Sequence, residues 1–172
     1  MFRKKLLFVF VLVLALSLLA SAVSADGLSS ASGFGYFYLP DGTYWSQTFT
    51  AVEHADGSVT GQAHAIAHAD PIRIGHVTLD CLRVHEDPLL GHVAFMSGWV
   101  TLAINPSYPI PAYATFYVVD GGEGSGTVEY ISTPYVASDP GVFNCDMAYS
   151  AGVSSFPGYR FPVVKGNIQV RP

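Results

Sequence analysis

The sequence predicts an all-β fold: a single closed or nearly closed antiparallel β-barrel, with a β-sandwich as the alternative. Three observations point there. Short runs rich in Val, Thr, Tyr and Phe alternate in polarity, turns built on Gly, Pro and Asp separate them, and no helical period stands out beyond the first 25 residues.

Those first 25 residues read as a cleaved signal peptide. Arg3-Lys4-Lys5 is a basic start, Leu6 to Leu19 is an almost unbroken apolar core, and Ser21-Ala22-Val23-Ser24-Ala25 ends in the small-x-small pattern that signal peptidase recognises. A retained anchor is the alternative, disfavoured by the shortness of the core. The domain expected to fold is therefore 26–172, secreted or extracytoplasmic, with no later apolar run long enough to span a bilayer as a helix. Without Arg3, Lys4 and Lys5, five basic residues face thirteen acidic ones, a net charge of −8. Such a surface repels nucleic acid and anionic membranes. Two cysteines in an exported chain predict one disulfide, Cys81–Cys145, since neither has a basic neighbour that would activate it as a free thiol.

The elements follow in order. Ser32 to Tyr38 alternates small and aromatic residues, and Pro40-Asp41-Gly42 turns the chain. Tyr44 to His54 and Ser58 to Ala69 flank Ala55-Asp56-Gly57, a strong hairpin signal. A three-residue turn with Gly57 left-handed sets Trp45 against Ala67, Phe49 against Ala63 and Ala51 against Gly61. Large then meets small on one face, leaving Tyr44, Ser46, Thr48, Gln62, His64 and His68 on a polar one. Ile72 to Val84 is the cysteine strand, whose alternation breaks near Asp80-Cys81-Leu82 and predicts a bulge. His92 to Ile104 carries Ala94, Met96, Gly98, Val100 and Leu102 on one face, with Val93, Phe95 and Trp99 on the other. Three prolines in 105–111 end it. Tyr113 to Val119 is the next strand, and Glu129 to Ser132, Val142 to Tyr149 and Asn167 to Val170 are the remaining strand candidates.

With these motifs in order, the chain resembles a group of small exported bacterial β proteins of unassigned function. The likeness runs over nearly the whole of 26–172. It rests on Gly33-Phe34-Gly35, Phe49-Thr50-Ala51, the turn Asp56-Gly57-Ser58-Val59-Thr60-Gly61-Gln62 and the strand Cys81-Leu82-Arg83-Val84. Ala94, Gly98 and Val100, Phe116 to Gly124, Glu129-Tyr130-Ile131-Ser132, Cys145 and Gly166 to Val170 continue the pattern. Gly121 stands where the pattern has Asn, and Glu129 where it has Asp. The resemblance implies the barrel and the disulfide, and no activity.

Candidate sites are few. His64 and His68 share a strand face but lie four residues apart, roughly 13 Å along a strand, too far for one ion whose ligands sit about 2 Å from it. His76 adds at best a second ligand, so solvated histidines are expected. Asp120, Glu123 and Glu129, in and beyond a glycine loop, offer hard oxygen atoms of the kind calcium takes, against a plain turn whose Asp caps backbone amides. Calcium is the sole cofactor the sequence raises. Ser125 lies between glycines without the strand-turn-helix setting of a nucleophile elbow. Asp80 and Asp146 adjoin the two cysteines, and a disulfide would bring them together as a carboxylate pair of the kind that hydrolyses glycosides. Phe95, Trp99, Tyr113 and Tyr117 form an aromatic strip. It is either exposed and able to stack a sugar or dock a partner, or covered by a segment such as 134–141. The functional expectation is an exported binding or structural module for a small molecule, glycan or protein. The alternative is a small secreted carbohydrate-active enzyme using the carboxylates near the disulfide.

Overall fold

The computed structural model describes residues 28–105, 108, 110–122 and 127–172. The leader at 1–25, Glu123 and Ser125 lie outside them. Ten strands form one antiparallel sheet curled into a half-barrel: β1 (Ser30–Tyr38), β2 (Tyr44–Glu53), β3 (Val59–Ala67), β4 (Arg73–Asp87), β5 (Gly91–Ile104), β6 (Tyr113–Asp120), β7 (Tyr130–Ser132), β8 (Tyr135–Ala137), β9 (Arg160–Pro162) and β10 (Lys165–Arg171). Neighbours run β10-β1-β2-β3-β4-β5-β6-β7-β9, and β8 pairs with β6 beside β7. No helix among the described residues is long and apolar enough to cross a membrane.

The β2–β3 hairpin has the predicted register: Trp45 pairs with Ala67, Phe49 with Ala63 and Ala51 with Gly61. Gly57 takes φ +79°, a left-handed conformation that glycine adopts without a Cβ penalty. Asp56 accepts the Ser58 backbone N–H at 2.9 Å, closing the turn. The predicted bulge is present too. Pairing slips between Leu79 and Cys81, which leaves Asp80 unpaired opposite the Gly98–Ser97 step. A second slip between His76 and Val77 carries Leu102 off the buried face.

Curling gives the sheet an interior filled by Phe37, Phe49, Leu79, Leu82, Met96 and Phe116. The two ends of the sheet are tied by the last segment of chain. β9 pairs with β7, Val164 N donates to Tyr36 O, and β10 pairs with β1. On its other edge β10 donates Ile168 N to Glu129 Oε1 at 2.9 Å and Val170 N to Asp120 Oδ2 at 3.0 Å. Side-chain carboxylates thus satisfy strand-edge amides that would otherwise lack a partner.

One element departs from expectation. Cys145–Ala151, expected within a strand from Val142 to Tyr149, is a short helix, α1, followed by a 3₁₀ turn at Val153–Ser155. Asn144 caps it by accepting Met147 N at 3.1 Å, Asp146 lies in its positive first turn, and Gly152 ends it. With only seven residues it shows no readable period, and its stability comes from packing and the disulfide. The cysteines are bridged, with Cα atoms 6.0 Å apart.

Candidate functional site

The aromatic strip is covered. Phe95 and Tyr117 are 0% and 1% exposed and Tyr113 is also buried, while Trp99 alone keeps 39% of its surface. The cover is α1 with its flanks. Cys145, Ala148 and Phe156 pack with Val93, Phe95, Tyr117 and Val119 in a second core, and Phe143 and Tyr135 close its margin. The segment 134–141 contributes through β8, but the helix does most of the covering. β6 is consequently buried on both faces from Tyr113 to Val119. The expectation of an exposed strip on Phe95, Tyr113 and Tyr117 is corrected on this ground: their apolar faces have gone into the core.

Aromatic side chains that are exposed (Phe34, Tyr38) or half-buried (Tyr36, Tyr44) lie instead on β1 and β2. Tyr36 and Tyr44 are parallel to within 2° at 5.6 Å, and Tyr38 and His68 each approach Tyr44 to 5.1 Å. His64 and His76 sit directly opposite each other on β3 and β4, with ring centroids 6.3 Å apart. His76 already contacts Thr101 Oγ1 at 2.7 Å and Gln62 Oε1 at 3.3 Å. His68 lies on the same face, 3.0 Å from Ser46 Oγ.

The carboxylates near the disulfide are engaged separately. Asp80 accepts the Tyr113 hydroxyl at 2.6 Å, and Asp146 pairs with Arg83 at 2.7 Å. Both lie close enough to Tyr113 to oppose its ionisation. The one cluster of metal-type ligand atoms among the described residues is Cys81, Cys145 and Asp146, whose sulfurs are spent in the disulfide. Of the residues read as calcium ligands, Asp120 also accepts Gly122 N at 2.9 Å, so both its oxygens and one of Glu129 serve main-chain amides.

The arrangement with most chemical content is one the sequence reading missed. At the open end of the half-barrel, small inward-facing residues on neighbouring strands, Ala63, Ala65, Gly75 and Ala114, leave a cavity of about 110 Å³. Its walls include Val77, Phe116 and Trp45. Arg73, Asn105 and Tyr108 stand at its mouth, with Asn105 anchored by donating to Ile72 O at 2.8 Å. Burial pushes the Tyr108 phenol above its ordinary pKa.

Two polar atoms on side chains that line this cavity have no partner among the described residues: Trp45 Nε1 and Gln47 Oε1, both inaccessible to solvent and so packed behind its wall. Gln47 is 3% exposed. It belongs to the inward row Trp45, Gln47, Phe49 and Ala51, and pairs with Ala65. A buried unsatisfied amide oxygen costs about 1–3 kcal/mol, and native structures hold few of them. The sequence signal was available: Gln47 breaks the apolar face of β2, and the small residues of β3 lie opposite it.

Compared with family models, curated proteins and solved structures, the chain matches none of them.

Proposed function

We propose that the protein is an exported binding module whose small β-barrel takes a small ligand into the cavity at its open end. The reading rests on one observation: a concavity of about 110 Å³ walled by Ala63, Ala65, Gly75, Val77, Ala114 and Phe116, with Arg73, Asn105 and Tyr108 also among its lining residues. A pocket with apolar walls and a few convergent polar groups is the usual form of a small-molecule site. Apolar wall area then supplies affinity at about 25 cal/mol per Å² buried, less the cost of immobilising the ligand. The leader and the disulfide support an extracytoplasmic location.

The alternative, a small secreted carbohydrate-active enzyme built on Asp80 and Asp146, draws no support from the bonds those carboxylates already make. The experiment uses the two tryptophans, Trp45 and Trp99, as reporters. In ¹⁵N spectra of the disulfide-bonded protein, a neutral probe such as phenol should shift the Trp45 indole resonance saturably. It should leave that of Trp99 in place and lose its effect in Ala65→Leu, which fills the cavity. Equal or unsaturable movement of both indoles, or a response that survives Ala65→Leu, overturns the reading.

A further inference from the structure

We infer that the outer face of β1–β4 is a second binding site, for a neutral oligosaccharide, independent of the cavity. The outward-facing positions of β1, β2 and β3 carry no Asp, Glu, Lys or Arg, on a chain with thirteen acidic residues. Formal charge returns at the borders, with Lys165 and Arg171 on β10 and Asp80 on β4. Most kinds of partner would meet such a face badly. A protein surface brings charges that would be buried there without a counter-charge. Nucleic acid and anionic lipid need a cluster of cations. A polyol has no charge to match, and it needs groups that both donate and accept hydrogen bonds.

Those groups stand in a row across the strands. Phe34 pairs with Thr48, Thr48 with His64, and His64 with His76. Ser46 and Thr50 flank Thr48 on the same face of β2, and Gln62 flanks His64 on β3. Thr48, Thr50 and Gln62 are exposed. His64, half-buried beside the His76 ring, makes no hydrogen bond with any described residue. Two adjoining depressions of about 320 and 250 Å³ lie along this face and share Thr48 and His64. Phe34 and Tyr36 border the larger, Gln62 and His76 the smaller. Each exceeds the roughly 150 Å³ that holds benzene, so each takes one sugar ring and the pair takes two linked units. Tyr36, parallel to Tyr44 within 2°, and the exposed Phe34 offer ring faces on which the C–H side of a pyranose stacks.

The test titrates the disulfide-bonded protein with cellohexaose, laminarihexaose, mannohexaose and chitohexaose, with hexagalacturonate as the anionic control. Calorimetry measures affinity, and the ring resonances of His64 and His76 report the place of binding. At least one neutral chain should bind saturably and shift both imidazoles, while hexagalacturonate binds about tenfold more weakly or not at all. Tyr36→Ala and Thr48→Arg should each weaken that binding about tenfold. Unchanged thermal melting establishes that Thr48→Arg is folded, as expected for an exposed side chain. No saturable shift with any of the four neutral chains overturns the inference. So does a preference for hexagalacturonate, or an affinity that survives both substitutions. The response of Trp45 to phenol should be the same in Thr48→Arg, so glycan binding can fail while the cavity reading stands, and the reverse.

Discussion

Tyr113 on β6 donates its hydroxyl hydrogen to Asp80 on β4 at 2.6 Å, across the intervening strand β5. On the way it meets Ser97, whose Oγ lies 3.1 Å from the Tyr113 hydroxyl and accepts Cys145 N at 3.1 Å. The bulge at Asp80 makes this chain of bonds fit, because the slipped register leaves that side chain unpaired. A polar thread therefore runs from the bulge to the first residue of α1, beside the disulfide. Tyr113→Phe removes the charge-assisted bond and leaves the buried Ser97 hydroxyl without an acceptor. The expected loss is about 1–3 kcal/mol, read as a lower urea midpoint at unchanged m.

The same network sets an alkaline limit. Burial, reinforced for Tyr113 by its bond to Asp80, pushes the phenols of Tyr113 and Tyr117 up to about 12. An unfolded tyrosine ionises near pH 10. Between those values the folded protein holds protons that the unfolded chain releases, so stability is intact below about pH 10 and falls as pH rises toward 12. Phenolate absorbance should show Tyr113 and Tyr117 titrating last, and Tyr113→Phe should remove one of these late phenols. A titration curve that Tyr113→Phe leaves unchanged at its alkaline end would sink this account.

How far this was legible from sequence depended on the range of the interactions. The β2–β3 register followed from local pairing of Trp45 and Phe49 with alanines and from Gly57, and the bulge followed from the broken alternation at Asp80. The fate of Phe95 and Tyr117 did not follow, because it depends on α1, whose seven residues are too few to carry a period. Asn144 before Cys145-Asp146, with Gly152 beyond, was its readable mark. The cavity was hidden for a related reason: alanines facing inward read as ordinary packing until the opposite wall of the barrel is known. The leader's role as an export signal rests on sequence pattern alone.

Gln47→Met tests whether an uncompensated polar group has been kept at a cost in stability. Replacing the unpartnered amide by an apolar side chain of similar size should raise stability by about 1 kcal/mol, about 3 °C in Tm for a chain of this size. A Tm that drops would show that Gln47 has a structural partner instead.

Closure of the half-barrel through carboxylates predicts a local effect. Glu129→Ala removes the acceptor of Ile168 N and should cost about 1–2 kcal/mol. Hydrogen exchange should speed up at Ile168 and Val170 before it does at Phe95 or Val118. Millimolar calcium should leave the Tm unchanged if Asp120 and Glu129 serve the strand. A calcium-dependent rise that vanishes in Glu129→Ala would assign them to the cation.

Reduction of Cys81–Cys145 should expose what the helix covers. The bridge spans 64 residues, for which chain entropy gives a stabilisation of about 4 kcal/mol. That value is large beside the total stability of a domain of this size. The helix α1 is too short to persist alone, so losing its covalent tie should release it from Phe95 and Tyr117 while the interior of the half-barrel, whose core contains neither cysteine side chain, remains packed. The Cys81→Ala/Cys145→Ala variant should therefore bind a dye specific for exposed apolar surface at temperatures where far-ultraviolet dichroism still reports an intact sheet. Trp45 should keep its response to phenol there, because the cavity lies at the open end of the half-barrel and the helix contributes no wall to it. Simultaneous loss of sheet signal and Trp45 response would show instead that the two cores fold as one cooperative unit, with the disulfide holding both.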